Sequence, residues 1–515
     1  MTPVNKIVIV GGGTAGWLTA GLLAAAHSQK SISGERLSIT VIESDTIHPI
    51  GVGEGTWPTM RRTLAKIGIT ESEIVKHASA TFKQASKFVN WHKHNEHSSY
   101  YHPFCAPQGS ASLDITPYWL NSTTDDFHQY AKDVCFQPEL CERGLAPKLD
   151  ASTKQNFSAN YGYHLDAGKF IRLLRDHCKH TLGVQHIVDD VTKVAADNTG
   201  INYVTTTSNL NVEGDIFVDC SGFSALLIEK TLKVPMVDAS SILFSDSALV
   251  HQVPYKDESQ PIACHTLSTA QEAGWIWDIG LQNRRGTGYV YSSRFQSDED
   301  ACAIFTRYLK SINPEIALPE TFRKISYKTG YREKFWDRNC VAIGLSSGFL
   351  EPLEASSLML IEQSATQLAE QLPACTEVMP HVAKRFNSTL TYKWQRTIEF
   401  LKLHYLLSNR SDPFWVENKN QKSIPKRLQS LLEEWKFRPV LDSDFSGNDE
   451  VFSAQSYRYI LYGMAHNTQL DQYVRLLTQQ EFATKQFQLN RSLIMQLADR
   501  LPSHRGLIDR ILTGH

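Results

Sequence analysis

A glycine-rich turn near the start of the chain constrains the fold more than any other feature. Lys6 to Val10 is a β-branched run of strand length, Gly11, Gly13 and Gly16 satisfy GxGxxG, and Ala15 to Ala26 is a run of small and apolar residues suited to a buried helix. A second apolar run, Leu37 to Ile42, ends on an acid, Glu43. Strand, glycine turn, helix, strand and terminal acid together read as the first β-α-β unit of a doubly wound sheet. Gly11 permits the tight turn, Gly13 lets a pyrophosphate approach the backbone, and Gly16 lets the helix pack closely on the strand. Thr14 and Ala15 open the helix whose N-terminus would face the phosphates, and Glu43 is placed to accept hydrogen bonds from an adenosine ribose.

FAD and nicotinamide dinucleotides share this fingerprint, so the rest of the chain must choose. Asp219-Cys220-Ser221-Gly222-Phe223 ends a strand with a small-residue loop suited to wrapping a flavin. No second GxGxxG is present to hold a nicotinamide cofactor. The reading is therefore FAD, with reducing equivalents coming from elsewhere. Asp215 to Asp219 and Cys340 to Gly344 look like further buried strands of the same sheet, so the FAD domain is expected to be discontinuous in sequence.

The 515 residues suffice for more than one core, and 52 Lys plus Arg nearly balance 54 Asp plus Glu, which argues against a nucleic-acid partner. Nine cysteines without a CxxC pair read as reduced, mostly buried thiols, and no metal site is expected. The N-terminal apolar run is too brief for a signal segment and no stretch has membrane-spanning length, so the cytoplasm is the expected location. Leu243 to Val253 and Thr287 to Phe295 suggest a second, antiparallel sheet. Apolar residues at helical spacing fill Leu353 to Leu372, Val382 to Leu407, Phe452 to Met464 and Gln480 to Leu501, and Ser408 to Lys426 reads as a long loop.

Five blocks carry a more specific signal: Gly11 to Trp17 (GGGTAGW), Gly51 to Thr56 (GVGEGT), Phe82-Lys83 through Lys87-Phe88-Val89-Asn90-Trp91, Trp275 to Ile279 (WIWDI), and Glu351-Pro352-Leu353-Glu354. In this order, over roughly residues 1 to 370, they resemble the flavin-dependent tryptophan halogenase family. The resemblance implies an α/β FAD-binding domain of Rossmann-like, aromatic-hydroxylase-like type, an added antiparallel sheet and a mainly helical C-terminal substrate region. Residues 1–375 would then be the discontinuous FAD-binding and halide-oxidising region, and 376–515 would complete the substrate pocket. It also implies a two-component enzyme: a separate flavin reductase supplies FADH2, O2 and halide are co-substrates, and hypohalous acid is the oxidant that reaches an aromatic substrate. A homodimer is a further family expectation.

Residue by residue, the resemblance makes Lys83 the lysine beside the substrate and Glu354 the carboxylate that steadies the cationic ring and takes its proton. Gly53 and Gly344 join the cofactor site. Ser356 and Ser357 take the halide position, His102 and Phe104 flank the substrate ring, and Trp275 and Trp277, two apart on one strand face, separate flavin from substrate. Without the resemblance, Lys83 and Lys87 are two solvated lysines, Glu354 is an acid in a helix's first turn, and the tryptophans are core aromatics. Whether Lys83 donates a hydrogen bond to hypohalous acid or attacks it stays open at this level.

Two features depart from the family pattern. Ala355-Ser356-Ser357 replaces Ser-Thr-Gly, which leaves bromide versus chloride open, and Gly280 stands where many members have proline. The C-terminal segment that anchors the amino acid cannot be aligned. Phe452, Tyr457 and Tyr459 are candidate walls without an amino-group anchor, so indole or another electron-rich aromatic is expected ahead of free tryptophan. The competing readings are a flavin-dependent aromatic monooxygenase, against which Gly344-Leu345 in place of Gly-Asp argues, and a non-catalytic flavin-binding protein.

Overall fold

The computed structural model describes the chain except residues 1, 30–33, 35, 47–52, 94–97, 123–128, 151–158, 446, 448–449 and 515. Its organising layer is a six-stranded sheet in the order Trp336–Asp337, Cys340–Ala342, Ile216–Asp219, Lys6–Val10, Ser38–Glu43 and Gln185–Val188. All neighbours pair in parallel except the edge hairpin Trp336–Asp337 with Cys340–Ala342. Strands from three distant parts of the chain thus build one sheet, as the buried runs at 215–219 and 340–344 anticipated. The helix Thr14–Ala26 is buried over most of its surface because it lies between the sheet and the helices Ser356–Glu370 and Ala167–His180. That burial explains its lack of a polar face.

The second sheet has seven strands, in the order Arg323–Ser326, Ser247–Pro254, Arg284–Tyr291, Gly274–Gly280, His265–Gln271, Ala85–Val89 and Ser99–Pro103. It is antiparallel except where Ala85–Val89 runs parallel to His265–Gln271. Side chains alternate across a strand, so the register that sets Ser86 opposite His102 and Phe88 opposite Tyr100 puts these four on one face. Lys87 and Tyr101 take the other. Just before this strand, Thr81–Lys83 belongs to a separate three-stranded sheet with Gly162–Leu165 and Glu54–Gly55. Lys83 therefore sits at a corner between two sheets.

The last third is helical as the periodicity predicts, with Met379–Leu406, Ala454–Gly463 and Gln480–Arg500 its main members. Two expectations need correction. Helical structure near Leu353 begins only at Ser356, because Glu354 and Ala355 have φ of +60° and +56°. Ser408 to Lys426 is not a plain loop: Pro413–Glu417 is helical, and Phe414 and Trp415 are buried. The Trp415 indole N–H donates to Gln271 O at 2.8 Å, which ties the segment to the second sheet. One cluster of buried apolar side chains includes residues from Val4 to Ile511. All nine cysteines are free thiols, seven of them buried.

Candidate active site

The glycines of the first turn divide into two kinds. A Cβ on Gly11, whose φ is +115°, would lie 2.1 Å from Cys220 O, and one on Gly16 would lie 1.9 Å from Gly11 O, so the fold itself requires both to be glycine. A Cβ on Gly13 would meet nothing within 4 Å. Packing does not explain that glycine, whereas the close approach of a ligand does. Gly344, at φ +84°, brings its loop against Ala15, with the built Cβ 2.7 Å from the alanine methyl. Glu43 ends its strand as expected. Burial raises its pKa above the ordinary carboxyl value, and its Oε2, 2.9 Å from His186 Nε2, makes no aligned hydrogen bond. An acceptor left over at the strand end and open space beside Gly13 fit the ribose and pyrophosphate of FAD. Gly53 is described and packs near Leu281, while Gly51 and Val52 lie outside the described residues.

At the other end of the site the Glu354 carboxylate is buried and collects donors from three elements. His102 Nδ1 is 2.8 Å from Oε1, His404 Nε2 is 3.2 Å from the same oxygen, and Ser86 Oγ donates to Oε2 at 3.1 Å. Trp57 Nε1 donates to the Glu354 carbonyl at 2.7 Å and fixes the backbone. Burial alone would push this carboxyl up. The charge and hydrogen bond of His102, followed by the contacts of His404, hold it well below the usual carboxylate range. The left-handed backbone of Glu354 and Ala355 is the local strain that aims the side chain inward rather than along the helix.

Lys83 is 1% exposed, not solvated. Its Nζ is 5.4 Å from the centre of the Phe104 ring, and a Cβ on Gly55 would lie 3.3 Å from Nζ and 3.5 Å from the Ala355 methyl. Burial pulls the ammonium down to about 8, against the upward pull of Glu354. Lys87, the alternative lysine, is on the opposite face and pairs with Glu142 at 3.0 Å. His102, Phe104 and Glu354 line a cavity of about 990 Å³, and Lys83 is packed behind its Phe104 wall. Phe452 and Tyr459 line the same cavity. Tyr457 does not: it is buried in the core against Phe445 and Phe400.

A family model described as tryptophan halogenase matches residues 6–479. The chain belongs to the tryptophan halogenase family. The tryptophan 6-halogenase SttH of Streptomyces toxytricini is 34% identical over 522 residues, covering 97% of each chain. The tryptophan 7-halogenase RebH of Lentzea aerocolonigenes is 34% identical over 470 residues, covering 87% of this chain and 85% of its own. Among solved structures, a tryptophan halogenase from Shewanella frigidimarina superposes with a TM-score of 0.93 at 43% identity, covering 99% of this chain and 98% of that one. Fold and family together make this chain a flavin-dependent halogenase, an oxidoreductase.

In this halogenase the remaining sequence-derived residues fall as follows. Ser356 and Ser357 open the helix Ser356–Glu370, which has no side-chain cap, and the buried Ser356 Oγ makes no hydrogen bond. Uncapped N–H groups beside an unused hydroxyl suit a small anion. Trp275 and Trp277 are ring neighbours at 6.3 Å; Trp275 Nε1 donates to Glu351 Oε2 at 3.0 Å, and Trp277 rests on Gly288, where a Cβ would come within 2.0 Å of the ring.

Sequence reasoning missed His404 and Ser86, and it gave Glu54 no role. Burial first, and then the charge of Asp166, pushes the Glu54 carboxyl up to about 7. Ser86 could have been found from the strand alternation that places it with Phe88. His404 carries no local signal, because it repeats the core spacing of its helix. No metal is expected from the sequence; among the described residues, Cys141, Cys264 and His265 bring ligand atoms within 4.8 Å of one another. His265 pairs with Ala85, on the sheet face opposite Ser86 and His102. No helix among the described residues is long and apolar enough to cross a membrane.

Proposed function

We propose that the chain uses FADH2 from a separate flavin reductase, O2, and bromide or chloride to halogenate an indole or another electron-rich aromatic. The single observation that carries this reading is that the buried Lys83 amine, packed against Gly55 and Phe104, lies in the field of the buried Glu354 carboxylate, which His102, His404 and Ser86 surround. Reduced FAD, when bound, supplies with O2 the oxidising equivalent that turns halide into hypohalous acid. The Gly11 to Gly16 turn, Glu43, Gly53 and Gly344 would hold that cofactor. The Ser356 and Ser357 end of the helix would hold halide, and Trp275 and Trp277 would keep the substrate away from the flavin.

With burial lowering its pKa to about 8, Lys83 keeps an ammonium form at neutral pH. Its ammonium would hydrogen-bond hypohalous acid at oxygen. As the ring carbon takes the halogen, the O–X bond breaks and the departing hydroxide takes a proton from Lys83 Nζ, forming water. The ring then carries positive charge opposite the Glu354 carboxylate, which stabilises it electrostatically and accepts the ring proton. Transfer of that proton back to Lys83 restores both groups. His102 and Phe104 would flank the ring. We also propose that residues 1–375 carry the flavin and halide chemistry while 376–515 complete the substrate pocket, a division supported by Phe452 and Tyr459 in the cavity wall. A homodimer and a cytoplasmic location remain part of the proposal.

The relatives named above are tryptophan halogenases, which supports an indole as the substrate. Purified protein should be incubated with FAD, a reductase, NADH and bromide or chloride, offered indole and tryptophan in parallel, and followed by mass spectrometry. A halogen isotope pattern in the product supports the reading. A hydroxylated product without halogen makes the chain a monooxygenase, and flavin binding without product leaves only a flavoprotein.

A further inference from the structure

The far wall of the substrate cavity, away from Glu354, carries charge that the chemistry above does not use. Arg61 and Arg62 line it, on the helix Thr59–Ile67. Arg61 is half-buried, and its guanidinium carbon lies 3.8 Å from the centre of the Tyr161 ring. Among the described residues its guanidinium makes no hydrogen bond or ion pair. Among the described residues the acid on the same wall is Glu71, and it is already engaged: Lys148 Nζ pairs with Oε1, and Tyr161 and Tyr163 donate to Oε2 at 2.6 Å and 3.0 Å. The contact with the Tyr161 ring uses the face of the guanidinium and none of its N–H donors, which remain available to a ligand in the cavity that Arg61 lines.

Arg61 is also well placed relative to the reacting end. It follows Trp57, which precedes the helix, by four residues; Trp57 lines the same cavity and hydrogen-bonds the Glu354 backbone. A cavity of about 990 Å³ is at the upper end of the range for small-molecule sites, about 300–1,000 Å³, so it has room for a side chain beyond the ring.

We propose that Arg61 is the anion subsite of this cavity and that the substrate is an electron-rich aromatic whose side chain bears a carboxylate. This deepens the halogenase reading and rests on it. The ring lies at His102, Phe104 and Glu354, and the carboxylate accepts hydrogen bonds from the Arg61 guanidinium. Among the described residues no unengaged acid lines this wall, so an ammonium on the substrate finds no partner among them. A fixed arginine fork favours a carboxylate through two charge-assisted hydrogen bonds.

The test uses four indoles that differ in charge: 3-indolepropionate (anion), tryptophan (zwitterion), indole (neutral) and tryptamine (cation). Binding to the FAD-loaded protein is measured by calorimetry, and KM and kcat by turnover, for the wild type, Arg61→Gln and Arg61→Lys. The wild type should bind 3-indolepropionate at least tenfold more tightly than tryptamine. Arg61→Gln should abolish that preference and raise KM for 3-indolepropionate about tenfold. It should leave kcat, indole binding and the KM for bromide unchanged, and Arg61→Lys should restore part of the affinity. Equal binding of anion and cation by the wild type, an equal loss on indole in Arg61→Gln, or a raised KM for bromide would each overturn the assignment. If the charge preference in binding is found but no indole is halogenated, the halogenase reading falls and the anion subsite stands.

Discussion

Replacing His404 with leucine should destabilise the protein and weaken Glu354 in a way that can be worked from the structure. His404 is fully buried, with Nδ1 2.9 Å from Phe400 O and Nε2 3.2 Å from Glu354 Oε1. A carbonyl can only accept, so Nδ1 donates to it, and Nε2 faces the carboxylate oxygen. Leucine fills much of the ring's volume, which keeps the cavity cost small, but it removes one of the three side-chain donors to a buried anion. Removing a hydrogen-bond partner of a buried charged group costs about 1.5–3 kcal/mol. His102 and Ser86 remain on the carboxylate, so the lower figure, about 1.5 kcal/mol, is expected. Urea unfolding of the wild type and His404→Leu at pH 7 should show this as a lower midpoint at unchanged slope. Glu354 is held below its unfolded pKa, so the stability it confers is present above about pH 4.5 and is lost as pH falls through the folded value. The gap between the two proteins should therefore narrow in acid. A loss under about 0.5 kcal/mol, the usual effect of a neutral surface change, or a gap independent of pH, would refute the reasoning.

Other predictions follow from the same geometry. Glu354→Gln keeps the shape and the Trp57 contact but removes the charge, so halogenation should fall by about 10²- to 10⁴-fold while flavin oxidation, measured as oxygen uptake, continues at the wild-type rate. Halogenation should decline above about pH 8 as the Lys83 ammonium loses its proton, and Lys83→Arg, which stays charged, should remove that decline from whatever activity it retains. Gly13→Val, in open space, should weaken FAD binding more than tenfold with little change in the stability of the FAD-free protein. Gly16→Ala, whose Cβ would meet Gly11 O at 1.9 Å, should instead destabilise the FAD-free protein by about 1–3 kcal/mol; fluorescence titration and urea unfolding separate the two.

The cofactor half of the site was legible because its chemistry is local. The turn, helix start and acid proposed to hold a dinucleotide fall within residues 6 to 43, where backbone geometry itself requires Gly11 and Gly16. The catalytic half was legible only through resemblance. Nothing near Phe82 and Lys83 announces that this lysine is buried, because its burial comes from Gly162 across the small sheet, from Gly55, and from Phe104. Lys83 and Lys87 look alike in sequence, and only the break between the two sheets sends them to different faces. His404 is fifty residues from Glu354 in a helix of twenty-eight residues, and its spacing is that of a core residue. The strands Gln185–Val188 and Val191–Asp197 have no fully buried residue, and Gly200–Thr206 mixes buried and exposed positions. They lack the continuous apolar runs that revealed the parallel strands. Ser408 to Lys426 read as a loop because its prolines dominate the local pattern, while the burial of Phe414 and Trp415 depends on a sheet far away in sequence.

The measurement that tests the central claim most directly is product analysis of wild type and Lys83→Ala under the same supply of FADH2, O2, bromide and indole, with oxygen uptake recorded alongside. The account predicts a brominated indole with its paired isotope peaks from the wild type, and from Lys83→Ala no brominated indole despite undiminished oxygen uptake. Equal bromination by both proteins would contradict the role of Lys83, and an unhalogenated, hydroxylated product from the wild type would contradict the halogenase account itself.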